Sequence, residues 1–136
     1  HPALATFDAP PRNICQVKRR RSNTPLQALV LLNDECTTEA ARTLAGRVLR
    51  EGPPDDDGRI RYAFRHCLTR TPDEAEIADL LLFLREQAGR LQTDNLDALA
   101  IAGGENAPQG DTLHQLAAWT TVARVLLNLD ETITKQ

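Results

Sequence analysis

Two Thr-Pro pairs, Thr24-Pro25 and Thr71-Pro72, each stand directly before a run of apolar residues spaced three and four apart. A threonine hydroxyl suits an N-cap, and proline suits the first helical position because its missing N–H has no partner there anyway. Gln27 and Glu74, three residues after each threonine, complete the capping-box pattern. Helices are therefore predicted to start at Thr24 and at Thr71. The first carries an almost continuous apolar run from Leu26 to Leu32 and is expected to be short and buried on most sides. It ends near Asn33, which is expected to cap the helix that follows.

The same spacing recurs along the rest of the chain. Cys36, Ala40, Ala41, Leu44, Val48 and Leu49 share one face of a helix over residues 34–50, with Arg42, Arg47 and Arg50 on the wet side. After the break GPPDDDG, the residues Ile60, Ala63, Phe64, Cys67 and Leu68 trace another stripe. Ile77, Leu80, Leu81, Leu84, Ala88 and Leu91 follow from the second Thr-Pro start. DNLDALAIA suits a short helix, and Asp111 opens a last, central helix through Trp119 to Leu129. No segment alternates with period two, so no strand is predicted. The fold class is all-α: a single bundle of about five helices over residues 24–136. Pro2, Pro10 and Pro11 make residues 1–23 an extended arm.

A chain of 136 residues has the size of one domain. It begins at His1 and contains no methionine, so it reads as a piece of a larger protein. No uninterrupted apolar stretch is long enough to predict a membrane span. The formal charge is −3 and it is segregated. Lys18, Arg19, Arg20 and Arg21 form a basic block, whereas Asp55, Asp56 and Asp57 follow Pro53 and Pro54. Nucleic-acid binding through the basic arm is an alternative, but the negative total charge and the scarcity of aromatic residues weigh against it.

Cys15, Cys36 and Cys67 are widely spaced, with no C-x-x-C pair and no C-x-x-C-H, so neither a compact zinc site nor attached c-type haem is expected in this segment. His66 adjoins Cys67, but neighbours on a helix point about 100° apart and do not pair as base and nucleophile. His114 is isolated and reads as a surface or partly buried polar residue rather than a ligand. No catalytic team, cofactor site or metal site emerges.

The run FDAPPRNICQVKRRRSNTPLQALVLLND, together with the closing segment AAWTTVARVLLNLDETITKQ, resembles the planctomycete-specific C-terminal domain of unknown function (planctomycete-specific domain one). That family is found in planctomycetal cytochrome c-associated proteins. The resemblance implies a C-terminal helical accessory domain of an exported, periplasmic protein, with its partners among the other domains of the parent chain and any haem c elsewhere in it. The alternative it implies is a contribution to a hydrolytic or redox active site completed by the parent chain, on polysaccharide in one version.

Asn33, Asp34, Asn128, Asp130 and Glu131 fall in the two signature segments, LLND and LLNLDET. The structural reading makes them helix caps and salt-bridge partners. The functional reading gathers them with Arg19, Arg20 and Arg21 into one polar cluster that holds a sugar, an ion or a partner domain. An oxidising compartment permits a disulfide between Cys36 and Cys67, whose helical faces both point to the core. The competing reading is three thiols packed as small hydrophobes.

Overall fold

The computed structural model describes residues 29–30, 33–93, 96–103 and 107–133. The extended arm, the basic block Arg19 to Arg21, Cys15, and the caps expected at Thr24 and Gln27 lie outside the described residues. Within them the protein is an all-α bundle: α1 (Glu35–Glu51), α2 (Asp56–Leu68), α3 (Glu74–Gln92), the short α4 (Ala98–Ala102), α5 (Asp111–Leu127) and the single turn α6 (Asp130–Ile133). No strand occurs among the described residues.

The starts of α1 to α4 are each set by a short acidic side chain, whereas α5 starts at Gly110 with no side-chain cap. The Thr37 N–H donates to the Asp34 carboxylate at 3.1 Å, the Gly58 N–H to Asp55 at 2.7 Å and the Ala100 N–H to Asp97 at 3.0 Å. These bonds satisfy helix donors that have no intrahelical acceptor. Two expected caps are corrected. Asp34, not Asn33, caps α1, while the Asn33 amide turns back to the Leu29 carbonyl at 2.8 Å. The N-cap of α3 is Asp73, not Thr71, and the residue three positions on is Glu76 rather than Glu74. The Asp73 carboxylate accepts from the Glu76 N–H at 2.7 Å and the Glu76 carboxylate accepts from the Asp73 N–H at 2.8 Å. A carboxylate accepts more strongly than a hydroxyl, so the start moves two residues along and Pro72 becomes a buried residue ahead of the helix.

The centre of the bundle is α5. It packs most extensively on α1, then on α3 and α4, and it also touches α2 and α6. Its buried residues run nearly all round: Ala117, Ala118, Trp119, Thr120, Val122, Ala123 and Leu126. A helix apolar on every side must be enclosed. Thr120 fits there because its hydroxyl donates to the Leu116 carbonyl of its own helix at 2.7 Å. Ala41 and Ala45 of α1 are fully buried, and small side chains at a seam let two helix axes approach closely. Ile60, Ala63 and Phe64 of α2, with Ile77, Leu84 and Leu91 of α3, complete the core.

Three apolar expectations shift. Cys36 and Ala40 are exposed, so the buried stripe of α1 is Ala41, Ala45 and Val48. Leu29 is 56% exposed rather than buried. Arg42 does not take the wet side: its Nε donates to the Ile101 carbonyl at 2.9 Å and its Nη2 to the Ala100 carbonyl at 2.7 Å, closing the C-terminal end of α4.

Candidate functional site

The densest polar assembly forms where α2 ends. Thr69 caps that helix with a left-handed backbone, φ 60°, a conformation few β-branched residues adopt, and the turn delivers Arg70 between α3 and α6. Its guanidinium forks onto Glu76, Nη2 to Oε1 at 2.6 Å and Nη1 to Oε2 at 2.9 Å. A second fork reaches Glu131, Nε to Oε2 at 2.8 Å and Nη2 to Oε1 at 3.3 Å. The Phe64 ring lies under the charge, 4.8 Å from Cζ to centroid, within the range of a cation–π contact. One cation thus ties the end of α2, the start of α3 and α6. Arg70, paired twice, is held more firmly protonated than a free guanidinium, first by its bonds to Glu76. Glu76 is held down to about 2 by Arg70 and by the Asp73 N–H, so it stays ionised at neutral pH and has no proton to give as a general acid.

Two smaller straps repeat the device. Tyr62 of α2 donates its hydroxyl to Glu51 of α1 at 2.7 Å, and Arg47 reaches the same oxygen at 2.9 Å. These two bonds, Tyr62 first, hold Glu51 below the usual carboxylate range. Arg61 of α2 joins Asp57 at 2.8 Å and Glu74 of α3 at 3.0 Å.

The residues of the polar cluster expected from the sequence are distributed among local roles. Asn33 and Asp34 serve the start of α1. The Asn128 N–H closes α5 onto the Arg124 and Val125 carbonyls at 3.2 and 3.1 Å, and its side-chain Oδ1 is buried without a partner. Asp130 opens α6. Glu131 alone among them enters the Arg70 clamp, and Arg19 to Arg21 lie outside the described residues. Arg70 itself carries no signal in the sequence, because Glu131 is 61 positions away. The Asp73–Glu76 box was legible as D-x-x-E, eclipsed by the Thr-Pro pair before it.

Of the two readings of the cysteines, the structure has the thiols: Cys36 and Cys67 are both free. Cys36 sits on the exposed first turn of α1, and Cys67 is half-buried near the end of α2. Burial pushes the Cys67 thiol up to about 11, so the nucleophilic thiolate is scarce at neutral pH. His66 beside it faces elsewhere, stacked on Tyr62 at 4.2 Å with Nδ1 2.9 Å from the Tyr62 carbonyl.

A second feature is a cleft of about 400 Å³ between α2, α3 and α5. Asp56, Asp111 and His114 stand on its rim, over Leu84, Ala88 and Trp119. Among the described residues no group of three or more His, Cys, Asp or Glu side chains is placed to hold a metal ion, and no helix is long and apolar enough to cross a membrane.

Helices strung on a central α5 and fastened by arginine clamps define a small all-α domain whose polar groups are arranged chiefly for cohesion. The chain belongs to the PSD1 family, proteins of unknown function (DUF1553), whose family model matches residues 1–84. The match takes in α1, α2 and α3 as far as Leu84 and stops short of the closing segment AAWTTVARVLLNLDETITKQ. No curated protein and no solved structure matches the chain.

Proposed function

We propose that this bundle is a C-terminal accessory domain of a larger exported protein and docks against an apolar surface of a neighbouring domain. Exposed leucines carry the reading. Leu82 on α3 is 59% exposed and Leu99 on α4 is 55% exposed, on helices whose other leucine, isoleucine and phenylalanine side chains are covered wholly or in part. Covering a leucine side chain is worth about 1.5–3 kcal/mol, so a docked domain gains from both. The internal use of Arg42, Arg61 and Arg70 supports the same reading, since these cations fasten the bundle rather than face a substrate. On this reading the bundle has no cofactor of its own, and a haem c domain, where the parent chain has one, is among its neighbours.

Leu82→Glu with Leu99→Glu in the parent protein is the test, read by limited proteolysis at the junction ahead of the bundle. Docking predicts cleavage at least tenfold faster, with the thermal unfolding of the isolated bundle within a few degrees of wild type. Unchanged cleavage overturns it. The competing reading, residues lent to an active site completed by the parent chain, instead predicts lost turnover in Asp130→Asn with the junction unchanged.

A further inference from the structure

We infer that α4 is a latched strap: it opens off α5 as a unit while the rest of the bundle stays folded, and Arg42 of α1 is the latch that holds it shut. A helix of 5 residues lies far below the roughly 12–15 at which an isolated helix becomes even marginally stable in water. Its shape therefore depends on what it packs against, and that is α5. The apolar hold is slight. Ala98 and Ala102 are its buried side chains, one methyl group each, with Ile101 half-buried and Leu99 exposed. By contrast α5 is anchored by Trp119, Val122 and Leu126, none more than 2% exposed.

The polar hold is concentrated in one side chain. Ala100 and Ile101 belong to the last turn of α4, where carbonyls lack donors from their own helix, and both accept from Arg42, at 2.7 and 2.9 Å. Among the described residues these are the hydrogen bonds that join α4 to another helix. A charged donor makes the stronger kind of hydrogen bond. The same guanidinium lies against Gly103, where a Cβ would collide with it, so it clamps the end of the strap as well. Releasing this latch strands no charge. Arg42 is half-buried, so its guanidinium passes to water as the strap opens and the two freed carbonyls are hydrated with it. The cost of a buried, unsatisfied group is therefore avoided, and segments with few buried apolar contacts are the ones that open locally. The inference does not rest on docking, although Leu99 moves with the strap.

Native-state hydrogen exchange on the 136-residue chain tests this, read at the Ile101 and Gly103 amides of the strap and at the Val122 and Ala123 amides of α5. Where reclosing outpaces exchange, the strap amides should exchange about a hundredfold or more faster than those of α5, at a rate that low urea hardly changes. The α5 amides should instead follow global unfolding and rise steeply with urea. Arg42→Met keeps a long side chain but removes its donors, and should speed exchange in the strap about tenfold or more. Ile60 is fully buried in α2. Ile60→Ala should speed exchange at Val122 and Ala123 while leaving the strap rates unchanged; the milder Ile60→Val makes the same comparison if the alanine variant does not fold. Strap amides that exchange as slowly as those of α5, or that accelerate with them in the Ile60 variant, would show that α4 opens only with the whole bundle and overturn the inference. Strap rates unaltered in Arg42→Met would overturn the latch.

Discussion

At Gly103 the backbone has φ 70° and ψ 142°, a region open in practice to glycine alone. A Cβ there would also collide with the Arg42 guanidinium, the group that closes the end of α4. Gly103→Ala is therefore expected to cost about 2 kcal/mol or more, from backbone strain and from lost bonds to the Ala100 and Ile101 carbonyls. Gly89 is the control. It lies in α3 with no heavy atom within 4 Å of where a Cβ would stand, so Gly89→Ala should raise stability by about 0.5–1 kcal/mol. Urea unfolding of the two variants reads both signs. A chain scan sees two glycines; the contact with Arg42, some 60 positions away, separates them.

For the start of α3, the Asp73–Glu76 box and the Arg70 clamp act on the same carboxylate. Asp73→Ala should cost about 1 kcal/mol through the lost cap. Glu76 lies near 2 in the folded protein against an ordinary value of 4.5. A lowered folded value means the stabilisation is complete above about 4.5 and disappears as pH falls toward 2. Glu76→Gln keeps an acceptor at that position but removes the titrating group, so it should flatten the fall in stability between pH 4.5 and 2 while leaving the trend above pH 5 unchanged. Thermal unfolding midpoints measured from pH 7 to pH 2 check this; an acid limb as steep as the wild type's would contradict it. Helices α2, α3 and α5 were legible from their apolar spacing because burial of one stripe follows directly from it. The start of α3 was misplaced because two cap patterns overlap within four residues and the carboxylate is the stronger acceptor.

Every other helix of the described bundle packs against α5, so the core is one cooperative unit. Leu126 is fully buried near the C-terminal end of α5. Leu126→Ala should cost about 2–5 kcal/mol, the range for a buried leucine whose cavity closes only in part. The urea transition should keep a single phase and its slope, with only the midpoint moving. A variant that unfolds in two steps would show that α1 and α2 fold apart from α5.

The amino-acid sequence by itself determined that the protein is helical, roughly where its long helices lie, and which family it belongs to. Those properties are local: the period of the apolar residues, short acidic side chains at helix starts, and Pro and Gly between them act within a few turns of chain. Only the tertiary structure decided which polar side chains meet. Arg70 with Glu131 and Arg42 with the end of α4 are each brought together by the packing of helices around α5. Such pairings depend on the relative rotation and offset of whole helices, which no spacing along the chain records.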